Sequence, residues 1–298
     1  MTERLVVAPP IREALSAGRA VVALETSVLA QGLPRPRNAE AAAQMTSAIR
    51  DRGGEPAWIF VADGSIRVGA TDEELERLAS GRGVAKVARR DLPVATATGN
   101  IGATTVSATL WAAHRAGIEV AATGGIGGVH PGTGDVSADL LEMARTPGVL
   151  VCSGPKSILD PVATAERLDE LGVAVVGYGC DQLPFFVVRE ADVPLEHRAD
   201  KPEEVAAIAR SSRELGVEST LVVCQPVPRG YAVSEGEIAT AARACEERAR
   251  AEGVWGKALT PYLLSCIAER TAGRTLEANI ALLVANASLA AEIAAALA

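Results

Sequence analysis

The sequence predicts an α/β protein, a mostly parallel sheet with helices on both faces. Short apolar runs alternate with Ala-rich helical stretches along the whole chain, the pattern of successive βα units. Several runs, such as residues 20–25, are apolar on both faces instead of alternating, as strands covered on both sides are. The 298 residues are 48% hydrophobic but only 3% aromatic. That is enough for one large domain or two smaller ones, with a core of Ala, Val, Leu and Ile.

Taken in order, residues 11–17 read as a short helix and residues 20–25 as a central strand ending on Glu25, at the sheet edge where α/β folds place their ligands. Residues 26–37 carry Gly32, Pro34 and Pro36, too many breakers for a regular element, and Asn38 is expected to cap a helix over 39–52. A hairpin follows, 58–62 and 66–68, through Asp63-Gly64. Thr71 to Glu74 form a capping box opening a helix through Ala79. Residues 84–88 read as a strand, 104–116 as a helix and 118–123 as a strand. A glycine-dense loop over 124–139 leads into a helix over 138–145. The apolar run from Val149 breaks at Gly154-Pro155 and presents Lys156. Beyond it the expectation is a helix over 162–171, a strand over 173–178, an edge strand over 185–188 and a polar linker or surface excursion over 190–200. A helix (203–215), a strand (220–224), a turn (225–228) and three helices ending near Leu297 complete the chain.

The lysines stand out by scarcity. Of 29 Lys plus Arg only four are lysine, Lys86, Lys156, Lys201 and Lys257, so arginine serves wherever positive charge alone is needed. A lysine amine in a dry site can lose its proton and attack a carbonyl carbon; a guanidinium cannot. Lys201 precedes Pro202 at a helix start and Lys257 sits in a polar loop. Lys86 and Lys156 instead lie in or just after apolar runs, where a charge is costly unless paired or functional. The alternative is a strand-end lysine paired with a surface carboxylate.

A net charge of −8 with few aromatics argues against nucleic acid or an anionic membrane as partner. Five cysteines with no C-x-x-C pair suggest reduced thiols in a cytoplasm. No basic region with an apolar signal core opens the sequence, and no segment reads as long and apolar enough to span a bilayer.

The glycine-dense loop lacks the G-K-[ST] and G-x-G-x-x-G spacings of nucleotide binders. Ser153 and Lys156 match S-x-x-K, but Gly154-Pro155 oppose the helix that serine acyl-enzyme chemistry wants. His130, Asp135 and Asp139 allow a metal site; an ion held chiefly through Asp135 would be hard and oxygen-loving, such as manganese or magnesium. Glu25, Lys86, Asp135, Asp139 and Lys156 all fall at or after strand ends. They point to Schiff-base chemistry on a charged, carbonyl-bearing small molecule such as a sugar phosphate.

Ordered blocks across nearly the whole chain resemble one family. They include residues 23–25 (ALE), 32–34 (GLP), 63–69 (DGSIRVG), 84–86 (VAK), 89–93 (RRDLP), 102–106 (GATTV), 122–130 (ATGGIGGVH), 136–139 (VSAD), 152–160 (CSGPKSILD) and 279–287 (NIALLVANA). The resemblance is to the pseudouridine-5'-phosphate glycosidases, a family that includes proteins related to indigoidine biosynthesis. It implies a single domain over residues 1–298, a three-layer α/β/α sandwich with a central, mostly parallel or mixed sheet. It further implies a cytoplasmic homotrimer that cleaves pseudouridine 5'-phosphate to uracil and ribose 5-phosphate with one Mn2+ per subunit. Lys156 matches the nucleophile and Glu25 the proton donor. Lys86, Val106, Ser137, Ala138 and Asp139 match substrate-binding positions, and Asp135 the metal-binding aspartate. The chain departs from the usual pattern at Gln31, where histidine is common, at Ile101, where asparagine is, and at Gln225. The alternative keeps the catalytic set and changes the aglycone, a C-glycosynthase joining ribose 5-phosphate to an aromatic natural product. A sugar-phosphate binder without turnover would not need the Glu25–Lys156 pairing.

Overall fold

The computed structural model describes residues 4–132 and 134–298, apart from the Lys257 side chain. The sequence readings that touch residues 1–3, Thr133 and the Lys257 side chain lie outside the described residues. Among those described, eleven strands form one sheet. They are β1 (Leu5–Val7), β2 (Val21–Glu25), β3 (Glu55–Ala62), β4 (Ser65–Val68), β5 (Ala85–Val87), β6 (Gly102–Thr104), β7 (Val120–Ala122), β8 (Gly148–Cys152), β9 (Val175–Tyr178), β10 (His197–Ala199) and β11 (Thr220–Cys224). The spatial order is β1-β4-β3-β2-β7-β8-β11-β9-β10, with β6 joining β3 to β5. All pairings are parallel except β3 with β4 and β3 with β6.

The helices are α1 (Pro9–Ser16), α2 (Arg37–Arg50), α3 (Asp72–Ala79), α4 (Leu92–Thr98), α5 (Val106–Ala116), α6 (Ala138–Met143), α7 (Pro161–Glu170), α8 (Pro202–Glu214), α9 (Glu235–Ala251), α10 (Leu259–Arg270) and α11 (Arg274–Leu297). They complete a three-layer α/β/α sandwich. Successive strand residues feed opposite cores: Val22 and Leu24 of β2 join the core under α2 and α8–α11, while Val21 and Ala23 join the one under α1 and α4–α7. The period of two with both faces apolar is what made these strands legible.

Local rules hold where they are strong. Asp63 and Gly64 both have positive φ, as a two-residue hairpin turn requires. At the start of α3 the Thr71 hydroxyl accepts from the Glu74 N–H at 3.3 Å, and the Thr71 N–H donates to the Glu74 carboxylate at 2.8 Å.

Other expectations change. Residues 28–32, expected to be irregular, form a π-helical turn before the prolines end it. Asn38 does not cap α2; it is buried in the first turn and its amide donates to the Leu29 and Ala79 carbonyls, both at 2.8 Å. β6 and α4 appear where no element was expected. The edge strand over 185–188 is instead a tight turn with Phe186 at φ 58°, its four side chains all buried. The polar segment 190–200 contributes β10, paired to β9 at the sheet edge.

Two global expectations are corrected. α11, 24 residues, is long and apolar enough to cross a bilayer, yet it packs against α2, α8 and the strands β2, β7 and β8 as a core helix. Cys245 and Cys266, expected to be reduced, form a disulfide. They sit on the packed helices α9 and α10, a juxtaposition that a sequence separation of 21 does not reveal.

Candidate active site

Because β2, β7 and β8 are neighbours and parallel, their C-terminal ends deliver Glu25, Thr123 and Ser153 side by side. The eight residues singled out from the sequence, Glu25, Lys86, Val106, Asp135, Ser137, Ala138, Asp139 and Lys156, all border one cavity of ≈240 Å³ above this edge. Glu25, Lys86 and Lys156 also border a tight ≈50 Å³ pocket next to it. Beyond Phe186, Leu264 and Asn279 that pocket meets a larger, mainly apolar cavity of ≈640 Å³. The reactive groups therefore stand between a polar chamber and an apolar one.

Glu25 is 7% exposed. Its Oε1 accepts the Thr123 hydroxyl and its Oε2 the Ser27 hydroxyl at 2.6 Å. Two donors on the carboxyl oxygens fix its plane. Lys156 follows a sharp reversal at Gly154, where φ is 76° and a Cβ would lie 1.8 Å from the Pro184 carbonyl oxygen, so only glycine fits. The reversal sends the Lys156 Nζ back to the Gly125 carbonyl at 2.6 Å. Acid and amine thus both lean on the turn that follows β7.

The polar chamber carries Lys86, Arg90 and the helix starts of α5 and α6. Val106 and Ala138 have no polar side-chain atoms. As the first residues of α5 and α6 they offer main-chain N–H groups of the kind a helix leaves unsatisfied, and such groups favour an anion. Asp139 borders the chamber and also ties two loops together, its Oδ1 accepting the Ser107 N–H and its Oδ2 the Gly127 N–H, both at 3.0 Å. Ser137 caps α6, its hydroxyl accepting the Asp139 N–H at 3.2 Å. A Cβ on Gly127 would come within 2.2 Å of that hydroxyl, which explains one glycine of the dense loop.

His130 and Asp135 close the loop at the chamber's far side, the His130 N–H donating to the Asp135 carbonyl at 2.9 Å. Burial lowers the His130 pKa, outweighing the opposing pull of Asp135, so the ring is neutral near pH 7. Among the described residues no three His, Cys, Asp or Glu side chains converge on a common point. The chamber's donor set suits a hard cation that keeps most of its waters and takes one carboxylate, rather than one held in a cage of several His or Cys ligands.

Sequence reasoning missed the hydroxyls of Ser27 and Thr123 and the Gly125 carbonyl. Thr123 was detectable, since it ends an apolar run as Glu25 does, but nothing local pairs residues 98 apart. Also missed was the buried Glu142, 0% exposed, which accepts Arg89, Arg145 and Thr146.

The family profile described as "Indigoidine synthase A like protein" matches residues 10–296. The pseudouridine-5'-phosphate glycosidase of Gemmatimonas aurantiaca is 49% identical over 100% of this chain and 98% of its own length. That of Methylobacterium nodulans is 47% identical over 97% and 87%. Among solved structures, the prealnumycin C-glycosynthase AlnA in complex with ribulose 5-phosphate superposes with a TM-score of 0.91 at 39% identity, covering 100% of this chain and 98% of AlnA. An indigoidine synthase A-like protein from Thermotoga maritima gives 0.89 at 43% identity, covering 93% of each chain.

Proposed function

The chain belongs to the indigoidine synthase A-like family, and on that premise we infer that it is a pseudouridine-5'-phosphate glycosidase, breaking the C–C bond between uracil C5 and ribose C1' reversibly. The observation that carries the reading is that Lys156 and the oriented carboxyl group of Glu25 border the same tight pocket between polar and apolar chambers. The curated relatives at 42–49% identity bear the same name over nearly the full chain.

A C–C glycoside has no leaving oxygen or nitrogen to protonate, so uracil C5 needs a proton as it takes the electrons of the breaking bond, and C1' needs a group that stabilises the positive charge left on it. In the ring-opened sugar the Lys156 amine is bound to C1'; as the C1'–C5 bond breaks, its nitrogen lone pair forms the C1'=N iminium, and water then hydrolyses this to ribose 5-phosphate and the free amine. Glu25 supplies the proton to C5. The Thr123 and Ser27 hydroxyls orient that carboxyl group for the delivery. Lys86, Arg90 and the main-chain N–H groups of Val106 and Ala138 bind the 5'-phosphate. Asp135 would hold a hard divalent cation such as Mn2+, which would add to the neutralisation of phosphate charge.

We place the enzyme in the cytoplasm as a homotrimer. Its acidic net charge and its free thiols Cys152, Cys180 and Cys224 agree with that compartment, while the Cys245–Cys266 bridge pulls the other way. The C-glycosynthase alternative has one observation in its favour, the ≈640 Å³ apolar chamber, a volume typical of sites for ligands larger than one six-membered ring.

The test is uracil release from pseudouridine 5'-phosphate with Mn2+, beside Lys156→Ala, with borohydride trapping of the sugar adduct. Release and trapping by the wild type, and neither by the variant, are expected. Turnover retained in Lys156→Ala would sink the scheme.

A further inference from the structure

α11 is apolar nearly all round, yet it buries two asparagines, Asn279 and Asn286, seven residues apart and hence on one stripe. Asn279 borders the reactive pocket. Asn286 does not; it is 0% exposed and sits beneath that pocket. Its Nδ2 donates to the Thr123 carbonyl at 2.9 Å and lies 3.4 Å from the Gly124 carbonyl. The Ser153 hydroxyl lies 3.1 Å from Nδ2 and 3.4 Å from Oδ1.

These contacts have a specific cause. At the end of the β7–β8 ladder the Ser153 N–H reaches the Gly124 carbonyl, at 2.9 Å, and skips that of Thr123. A buried carbonyl left out of the ladder must find another donor. The Asn286 amide is that donor, and it also grips the Ser153 hydroxyl on β8's exit. One side chain thus clamps the exits of β7 and β8. Thr123 is also the residue whose hydroxyl holds Glu25, and Gly125, two residues on, carries the carbonyl that receives Lys156.

We infer that Asn286 is a positioning residue for proton delivery: by fixing the Thr123 main chain it sets where the Thr123 hydroxyl holds the Glu25 carboxyl relative to Lys156. The inference rests on the glycosidase reading and assigns a role in it to a residue that does not touch the substrate. Thr123 has one φ/ψ setting while its carbonyl is held from α11. Freed, the carbonyl turns, and the hydroxyl leaves Oε1. Displacement of a reacting group by about 1 Å can cost on the order of 10²-fold in rate. The phosphate end of the site, on α5, α6 and β5, makes no hydrogen bond with Asn286, so substrate affinity there is left intact.

The experiment compares wild type, Asn286→Leu and Asn286→Asp in three readouts: uracil release, the rate of borohydride-trapped adduct formation from ribose 5-phosphate, and thermal unfolding. For Asn286→Leu the expectation is a kcat lower by about 10²-fold, KM unchanged, adduct formation nearly unchanged, and a larger solvent deuterium effect on kcat. Asn286→Asp covers the case in which the leucine variant does not fold. Protonated, its carboxyl can still donate to Thr123; ionised, it repels that carbonyl, so its kcat relative to wild type falls as pH rises. Adduct formation and uracil release falling in parallel, or unfolding shifting while kcat per folded molecule holds, would overturn the inference by reducing Asn286 to a structural residue. A pH-independent ratio for Asn286→Asp would do the same. A wild type that traps ribose 5-phosphate on Lys156 but releases no uracil refutes the glycosidase reading, and with it the proton step that Asn286 is inferred to serve.

Discussion

Glu142 makes an asymmetric prediction about its ion pair with Arg89. The carboxylate is 0% exposed, whereas the Arg89 and Arg145 side chains are 32% and 47% exposed. Arg89 Nη1 donates to both oxygens at 2.8 Å; Arg145 approaches one at 3.2 and 3.3 Å, and Thr146 donates to the other at 2.6 Å. Arg89→Met keeps the apolar stem but strands a buried charge on its weaker partners. Breaking a buried pair this way costs about 3–5 kcal/mol, and the surviving Arg145 puts the expectation near the lower figure. Glu142→Gln removes the buried charge itself and lets both guanidinium groups turn to water, so its cost is about 1 kcal/mol. At roughly 2 °C per kcal/mol for a chain of this size, thermal unfolding should fall by about 6 °C for Arg89→Met and about 2 °C for Glu142→Gln. The loss also reaches function. The Arg89 main-chain N–H donates to the Ser107 hydroxyl at 3.3 Å and Lys86 lies three residues upstream, so a segment released from Glu142 shifts the phosphate end of the site. Arg89→Met is therefore expected to raise KM more than it lowers kcat. Glu142→Gln as damaging as Arg89→Met in thermal unfolding would refute the asymmetry.

Asp139→Asn turns one of two acceptors into a donor facing a main-chain N–H. It should raise KM for the phosphorylated substrate and cost about 1–3 kcal/mol, read by kinetics and unfolding. Gly154→Ala puts a methyl group into the Pro184 carbonyl; it should abolish activity or soluble expression, and a stable, active variant would contradict the tight reversal. Burial pushes the Cys180 thiol from 9.0 up to about 11. Its folded form holds the proton that the unfolded form releases near pH 9, so this thiol's contribution to stability declines as pH rises from about 9 to about 11. Native protein should resist iodoacetamide at about pH 8, and mass spectrometry after denaturation should find three alkylated cysteines without reductant and all five with it.

The sheet, the hairpin and the capping box were legible because their causes are local: apolar periodicity, a turn pair, a side chain capping its own helix. Glu25 and Lys156 could be read as chemistry because each breaks a local rule, a charge at the end of an apolar run. What the sequence hid depends on pairs formed across the fold. Asn38 looks like a cap until α3 brings the Ala79 carbonyl within reach. That Asp139 also joins two loops is invisible until Ser107 and Gly127 are brought to its oxygens. The Cys245–Cys266 bridge needs the α9–α10 packing, and α11 reads as apolar filler until its asparagines meet strand ends.

The links around Thr123 carry a consequence for how the enzyme comes alive during folding. Glu25 is held by a residue 98 positions away, and that residue by one 163 positions further on. Such contacts close long loops and form late, because their entropy is lost before any local contact repays it. Nascent or half-folded chains thus expose a lysine but no aligned acid. They can bind aldehydes indiscriminately yet cannot turn them over until α11 docks. Competence should therefore appear with the last cooperative step of folding and vanish with the first local unfolding of α11, ahead of any loss of the sheet.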